Sequence, residues 1–228
     1  MRLVLFDVDG TLVTARGAGR VALMRAMEAV YGTAGPVDGY DFRGRTDPRI
    51  VLDLLTAAGL PEAAVRRDMA RCFARYVREL ERLLADGARV EALPGVDAVV
   101  RRLAARDDVV VGLLTGNIEA GARVKLEAAG LWPYFRVGAY GSDDEDRRRL
   151  PAVACARARA LTGREFPFAR VTIVGDTPLD VDCARACGAR AVAVATGFHA
   201  AAELAACAPD LLLPDLADVD RAVAALTA

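Results

Sequence analysis

The stretch Leu3-Val4-Leu5-Phe6-Asp7-Val8-Asp9-Gly10-Thr11 decides how this chain is read. Four apolar residues run without interruption and stop at a carboxylate. A short continuous apolar run suits a strand buried on both faces of a parallel sheet. The Asp, Gly and Thr residues that follow mark a turn out of the strand. Similar runs recur at 109–114, 171–174 and 191–195, and 211–213 reads as a fifth. Ala-rich helical stretches separate them at 95–106, 118–129, 150–161, 179–187 and 200–207. This alternation predicts βαβ units and an α/β fold with a doubly wound, Rossmann-like parallel sheet.

The alternation breaks between about 15 and 92, where no strand-like run occurs. That stretch reads as helices at 19–31, 47–58 and 61–85. In the last, Val65, Met69, Phe73, Tyr76, Val77, Leu80 and Leu84 recur at spacings of three and four, which makes an apolar stripe for a bundle core. The expected organisation is an α/β core made of 1–14 and 93–228, with an all-helical domain, 15–92, inserted into it. The hinges fall at 14–19 and 92–95, where Gly residues stand.

Composition bounds the rest. The 228 residues are 54% hydrophobic and 27% charged, a globular mixture with room for a large core. A net charge of −1 gives no basic field, so nucleic acid is not an expected partner. The opening apolar run is too short for a signal peptide, and no later stretch approaches the ~18 uncharged apolar residues of a membrane span. The reading is a cytoplasmic protein with no membrane partner. Five scattered Cys without a C-x-x-C pair read as reduced, small apolar fillers. Of 30 basic side chains only Lys125 is Lys, and the rest are Arg. Either coding bias left one Lys behind, or position 125 needs a compact ammonium that a planar guanidinium does not replace.

Open α/β sheets bind ligands at the carboxyl ends of their strands. Here those ends carry Asp7, Asp9 and Thr11, then Thr115-Gly116-Asn117, then Gly175-Asp176-Thr177-Pro178 and Asp180. Asp7 and Asp9, two apart on extended backbone, face the same side. Carboxylates this close repel one another, and Asp176 and Asp180 add to the charge. A hard divalent cation resolves the repulsion, and Mg²⁺ is the natural choice if the site also handles a phosphate. Gly10 and Thr11 suit a turn whose N–H groups face an anion. Thr115 offers a hydroxyl, Gly116 allows close approach, and Asn117 either caps the following helix or meets the ligand. In the helical insert, Arg45 within Phe42-Arg43-Gly44-Arg45-Thr46-Asp47-Pro48 is a candidate for a substrate carboxylate or phosphate.

Taken together, Asp-x-Asp-Gly-Thr, a strand-terminal Thr, the lone Lys and Gly-Asp-Thr-Pro-x-x-Asp resemble the haloacid dehalogenase superfamily of hydrolases, mostly Mg²⁺-dependent phosphatases. The resemblance spans essentially the whole chain, with 15–92 at the place of that family's cap domain. Within the family the chain is most similar to the branch of phosphoglycolate phosphatases and beta-phosphoglucomutases. The resemblance implies that Asp7 is the nucleophile that becomes an aspartyl-phosphate. It implies that Asp9 is the acid and base, with its backbone carbonyl on Mg²⁺. Asp176 would be a Mg²⁺ ligand, with Asp180 supporting it through the metal's waters, and Thr115 would hydrogen-bond the phosphoryl oxygens. An acid at position 9 favours phosphate esters, since dehalogenases and phosphonate-cleaving relatives lack it. One departure stands out. Many members place an essential Lys shortly before the last motif, where this chain carries only Arg. Lys125 lies on the helix after Thr115 and takes that role in this reading, with an Arg at 147, 148 or 149 as the alternative.

The functional expectation is hydrolysis of a small phosphorylated metabolite, 2-phosphoglycolate as the single choice, by a monomer or weak homodimer. A sugar phosphomutase on the same core is one alternative. A non-catalytic phospho-ligand binder or phospho-acceptor signalling protein is another.

Overall fold

A computed structural model describes all residues, Met1–Ala228. Its organising strand is β1, Arg2–Phe6. From Leu3 to Phe6 every side chain is completely buried. Alternation sends Leu3 and Leu5 into one apolar cluster and Val4 and Phe6 into the other. Each such side chain contributes roughly 1.5–3 kcal/mol through burial, on both faces at once. That is the physical meaning of the unbroken apolar run.

The other strands of the main sheet are β4 (Val109–Thr115), β5 (Val137–Tyr140), β6 (Val171–Gly175), β7 (Arg190–Val194) and β8 (Leu211–Leu213). Their order is β5-β4-β1-β6-β7-β8, and every neighbouring pair is parallel. Helices α4 (Val96–Ala104), α5 (Glu119–Ala128) and α9 (Val219–Thr227) cover one face through Val99, Leu103, Leu126 and Leu226. Helices α6 (Leu150–Thr162), α7 (Pro178–Cys187) and α8 (Ala201–Ala206) cover the other through Ala154, Ala158, Val181 and Leu204. The doubly wound sheet expected from the sequence is therefore present. Strand β5 and helix α9 are additions to that reading. So is a short antiparallel ribbon of β2 (Val13–Thr14) with β3 (Glu91–Ala92), which pairs the two chain crossings.

Between the crossings lie α1 (Ala18–Tyr31), α2 (Asp47–Ala57) and α3 (Glu62–Ala85). They enclose a third apolar cluster that includes Ala22, Met27, Leu54, Leu55, Val65, Tyr76 and Leu80. Glu79 is buried among them, held by Arg75 at 2.7 Å and Arg82 at 2.8 Å, with Arg25 at 3.8 Å. The Arg82 bond holds that carboxyl below its usual range. No helix is long and apolar enough to cross a membrane.

Candidate active site

A cavity of about 810 Å³ opens where the strand ends of the sheet meet the helical layer. Of the residues singled out from the sequence, Asp7, Asp9, Gly10, Arg45, Thr115, Gly116, Asn117, Lys125 and Asp176 line it. Thr11 and Asp180 lie just behind its wall and are buried.

The reason for this convergence is local. Asp7 N–H donates to the Val174 carbonyl at 2.9 Å, which extends the β1–β6 ladder one residue beyond the strand. Val8 then goes into the core, so Asp7 and Asp9 both face the cavity. Gly10 turns the chain with φ +84°, and a Cβ there would collide with the Asp176 carboxylate. Its N–H donates to the Val13 carbonyl, so that N–H serves the turn itself. The Thr11 hydroxyl donates to Asp176 Oδ1 at 2.9 Å and positions that carboxylate. The Thr11 hydroxyl is thus engaged by a carboxylate, while no backbone carbonyl accepts from its main-chain N–H.

Two electrostatic groupings share the cavity. The first is built on Asp7, Asp176 and Asp180, all buried, whose carboxylate oxygens lie within 4.8 Å of one another. Arg147 enters from the segment after β5. It pairs with Asp180 through a short contact and with Asp7 Oδ1 at 3.2 Å. The same guanidinium donates to the Gly44 carbonyl at 2.9 Å and to the Leu114 carbonyl at 3.3 Å. Its Nε is a buried polar atom without a partner. Asp180 has both oxygens engaged, since Oδ2 also accepts from the Thr177 N–H and hydroxyl at the start of α7. Asp7 and Asp176 each keep an oxygen outside these bonds. Burial raises both carboxyls above their usual range, and like charges add to it, Asp180 and Asp9 acting on Asp7, and Asp7 and Asp180 acting on Asp176. One guanidinium faces three carboxylates here. The all-oxygen donor set and the residual negative charge fit a hard divalent cation such as Mg²⁺.

The second grouping is built on Asp9. Its Oδ2 accepts from Lys125 Nζ at 2.6 Å and from Asn117 Nδ2 at 2.8 Å. Asn117 also donates to Thr115 Oγ1 at 2.8 Å and accepts from Lys125 at 2.7 Å. It is therefore a hub joining Asp9, Thr115 and Lys125, and the cap position of α5 falls to Ile118 instead. Lys125 is buried. Burial alone would depress its ammonium, yet Asp9, Tyr76 and Asp47 together hold it above the usual range.

Sequence reading did not assign site positions to Asp47 and Tyr76, which come from the helical layer. Asp47 Oδ2 accepts from the Ile118 N–H at 2.8 Å, and its own N–H donates to the Gly116 carbonyl at 2.7 Å. Burial pushes the Asp47 carboxyl up to about 6, with Lys125 pulling the other way. Gly116 has to be Gly because a Cβ would run into the Arg45 carbonyl. Thr46, the N-cap of α2, donates its hydroxyl to the Glu145 carbonyl at 2.9 Å. Arg45 lies over the Tyr40 ring, donates to the Asp41 carbonyl at 3.0 Å and stands 3.7 Å from Asp53. Arg148 and Arg149, the other two members of the basic run, pair with Asp146 and Asp144 on the surface.

The sequence family described as "haloacid dehalogenase-like hydrolase" matches residues 4–185. A phosphoglycolate phosphatase of Synechococcus elongatus is 29% identical, covering 99% of each chain. A phosphoglycolate phosphatase of Rhodospirillum rubrum is 31% identical, covering 86% of this chain and 80% of the relative. The crystal structure of CbbY from Rhodobacter sphaeroides in complex with phosphate superposes with a TM-score of 0.70 at 20% identity, covering 96% of each chain.

Proposed function

Because the chain belongs to the haloacid dehalogenase-like hydrolases, we propose that it is a Mg²⁺-dependent phosphatase of a small phosphorylated metabolite, working through an aspartyl-phosphate on Asp7. The observation that carries this reading is the separation of Asp7 from Asp9. One is gathered with Arg147 and two further carboxylates, and the other is held by Lys125 and Asn117. Two chemically identical groups are thereby prepared for two tasks.

In the proposed reaction an Asp7 oxygen attacks phosphorus while Asp9 gives its proton to the departing ester oxygen. The P–O bond to the leaving group breaks, and Asp7 carries the phosphoryl group. Asp9, now a carboxylate, takes a proton from water, whose oxygen attacks the same phosphorus and returns Asp7 free. Thr115 Oγ1 accepts from Asn117, which leaves the hydroxyl proton for a phosphoryl oxygen. The unpartnered Arg147 Nε–H is a second donor toward developing negative charge. Asp7, Asp176 and the Asp9 main-chain carbonyl would hold Mg²⁺, with Asp180 bracing Arg147 and reaching the ion through water. The ion supplies charge neutralisation for the phosphoryl oxygens.

We take 15–92 as a cap that closes over this chemistry. The bonds from Asp47, Thr46 and Arg147 across the 42–48 loop support a closed arrangement, and closure excludes water from the transfer step. 2-Phosphoglycolate is the first substrate to test, by analogy with the relatives. The test is phosphate release from a panel of phosphorylated metabolites with and without Mg²⁺, beside Asp7→Asn. Mg²⁺-dependent release that Asp7→Asn abolishes is expected. Release unaffected by either change overturns the reading. Return of the phosphoryl group to a hexose phosphate instead of water makes the protein a phosphomutase.

A further inference from the structure

Six cationic side chains line the cavity: Arg16, Arg20, Arg43, Arg45, Lys125 and Arg147. Five of them have a carboxylate partner, respectively Glu91, Asp41, Asp53, Asp9 and the Asp7–Asp180 pair. Arg20 has none. Its one hydrogen bond is a long one, 3.4 Å, to the Val37 carbonyl.

Yet Arg20 is held in place. Its guanidinium lies 4.5 Å from the centroid of the Phe42 ring. Phe42 is met edge-on by Tyr40 at 5.0 Å, and the Tyr40 hydroxyl donates to Asp53 at 2.9 Å. Asp53 is in turn fixed by Arg49 at 2.8 Å. Stacking on a ring restrains the guanidinium plane and leaves its edge N–H groups free for a planar or tetrahedral anion. Arg20 also stands in the first turn of α1, where the helix dipole disfavours a cation. Helix stability does not account for the charge at this place.

Position along the chain tells which part of a ligand it meets. The neighbouring Gly19 packs so closely on Lys125 that a Cβ would lie 3.0 Å from Nζ. Lys125 holds Asp9, the group proposed to protonate the leaving oxygen. Arg20 therefore stands on the leaving-group side of the cavity, and Arg147 on the phosphoryl side.

We propose that Arg20, stacked on Phe42, binds a second anionic group on the substrate, so that the substrate class is a phosphomonoester whose leaving group ends in a carboxylate or a second phosphate. This rests on the phosphatase reading above and adds to it the feature by which the substrate is chosen. A cavity of about 810 Å³ admits a two-carbon acid and a sugar chain alike.

The experiment compares kcat/KM within two matched pairs: 2-phosphoglycolate against ethyl phosphate, and fructose 1,6-bisphosphate against fructose 1-phosphate. Wild-type protein is expected to prefer the doubly anionic member of at least one pair. The pair that shows the preference identifies the second group as carboxylate or phosphate. In Arg20→Met that ratio falls about 10- to 100-fold, the effect of losing a hydrogen bond to a charged group. Arg20→Lys restores part of it, which a purely structural role for Arg20 would not do. No preference in the wild type, or a ratio unmoved in Arg20→Met, overturns the proposal while leaving the phosphatase reading intact. Release from neither member of either pair, nor from p-nitrophenyl phosphate, takes down both.

Discussion

Asp7 and Asp9 are two residues apart and live in different surroundings. The Asp7 side chain is 7% exposed and shares Arg147 with Asp180, inside the α/β core. The Asp9 side chain is 43% exposed and rests on Lys125, whose other neighbours include Asn117 of the core and Tyr76 and Asp47 of the helical layer. A single strand exit thus feeds one carboxylate into an enclosed, overcharged cluster and the next into a hydrogen-bonded relay. The lesson is that one cation is bound up with the integrity of the core, whereas the other is bound up with proton handling and with the docked helices.

If that division is right, the largest effect that depends on the leaving group belongs to Asp9. Asp9→Asn should slow hydrolysis of an alkyl phosphate by about 10²–10⁴-fold, the usual range for general acid–base groups. With p-nitrophenyl phosphate, whose leaving group needs no proton, the first step should be nearly spared. Equal losses on the two substrates, in pre-steady-state kinetics, would erase the distinction between the carboxylates.

The two cations should then separate in what they damage. Arg147→Met leaves Asp7 and Asp180 buried together without their counter-charge, and should lower unfolding free energy by about 3–5 kcal/mol in denaturant titration. Lys125→Arg should fold normally and lose activity by about 10²-fold, because the forked guanidinium does not reproduce the point contact with Asp9 and Asn117. Near-wild-type turnover in Lys125→Arg would show that the single Lys is a relic of coding bias.

The smallest effect sharpens the link to the helical layer. Burial pushes the folded Asp47 carboxyl up to about 6, above the 3.8 of a free aspartate. Between those values the folded state holds a proton that the unfolded chain has released, so this group's contribution to stability falls as pH rises through that window and is flat above it. A shift of this size corresponds to at most about 3 kcal/mol. Asp47→Asn keeps an acceptor for the Ile118 N–H, and should flatten the decline of Tm between about pH 4 and 6, the window between the two values. A slope unchanged from wild type would assign the decline to other groups.

Much of this was legible in the sequence, for a physical reason. Strands buried on both faces print continuous apolar runs, and their exits print Asp, Gly and Thr, so β1, β4 and β6 and the rim they carry stand out. Strand β5 did not. It is four residues at the sheet edge, two of them Gly138 and Ala139, which leaves no run to notice. The β2–β3 ribbon has two residues on each side and exists only because two chain crossings meet. Arg147 sits first in a run of three Arg after four acidic residues, a composition that reads as a solvated turn. Only the burial of its side chain separates it from Arg148 and Arg149. Tyr76 was correctly placed in an apolar stripe, but a stripe says nothing of the hydroxyl at its end, which approaches Lys125.

The central claim is that Asp7 takes the phosphoryl group while Asp9 moves the protons. Intact-protein mass spectrometry of Asp9→Asn, quenched after mixing with p-nitrophenyl phosphate and Mg²⁺, tests it most directly. The account predicts one p-nitrophenolate released per protein and a protein heavier by one phosphoryl group, mapped by peptide analysis to Asp7, since the water step lacks its base. A burst without added mass, or a phosphoryl group on any other residue, would contradict it.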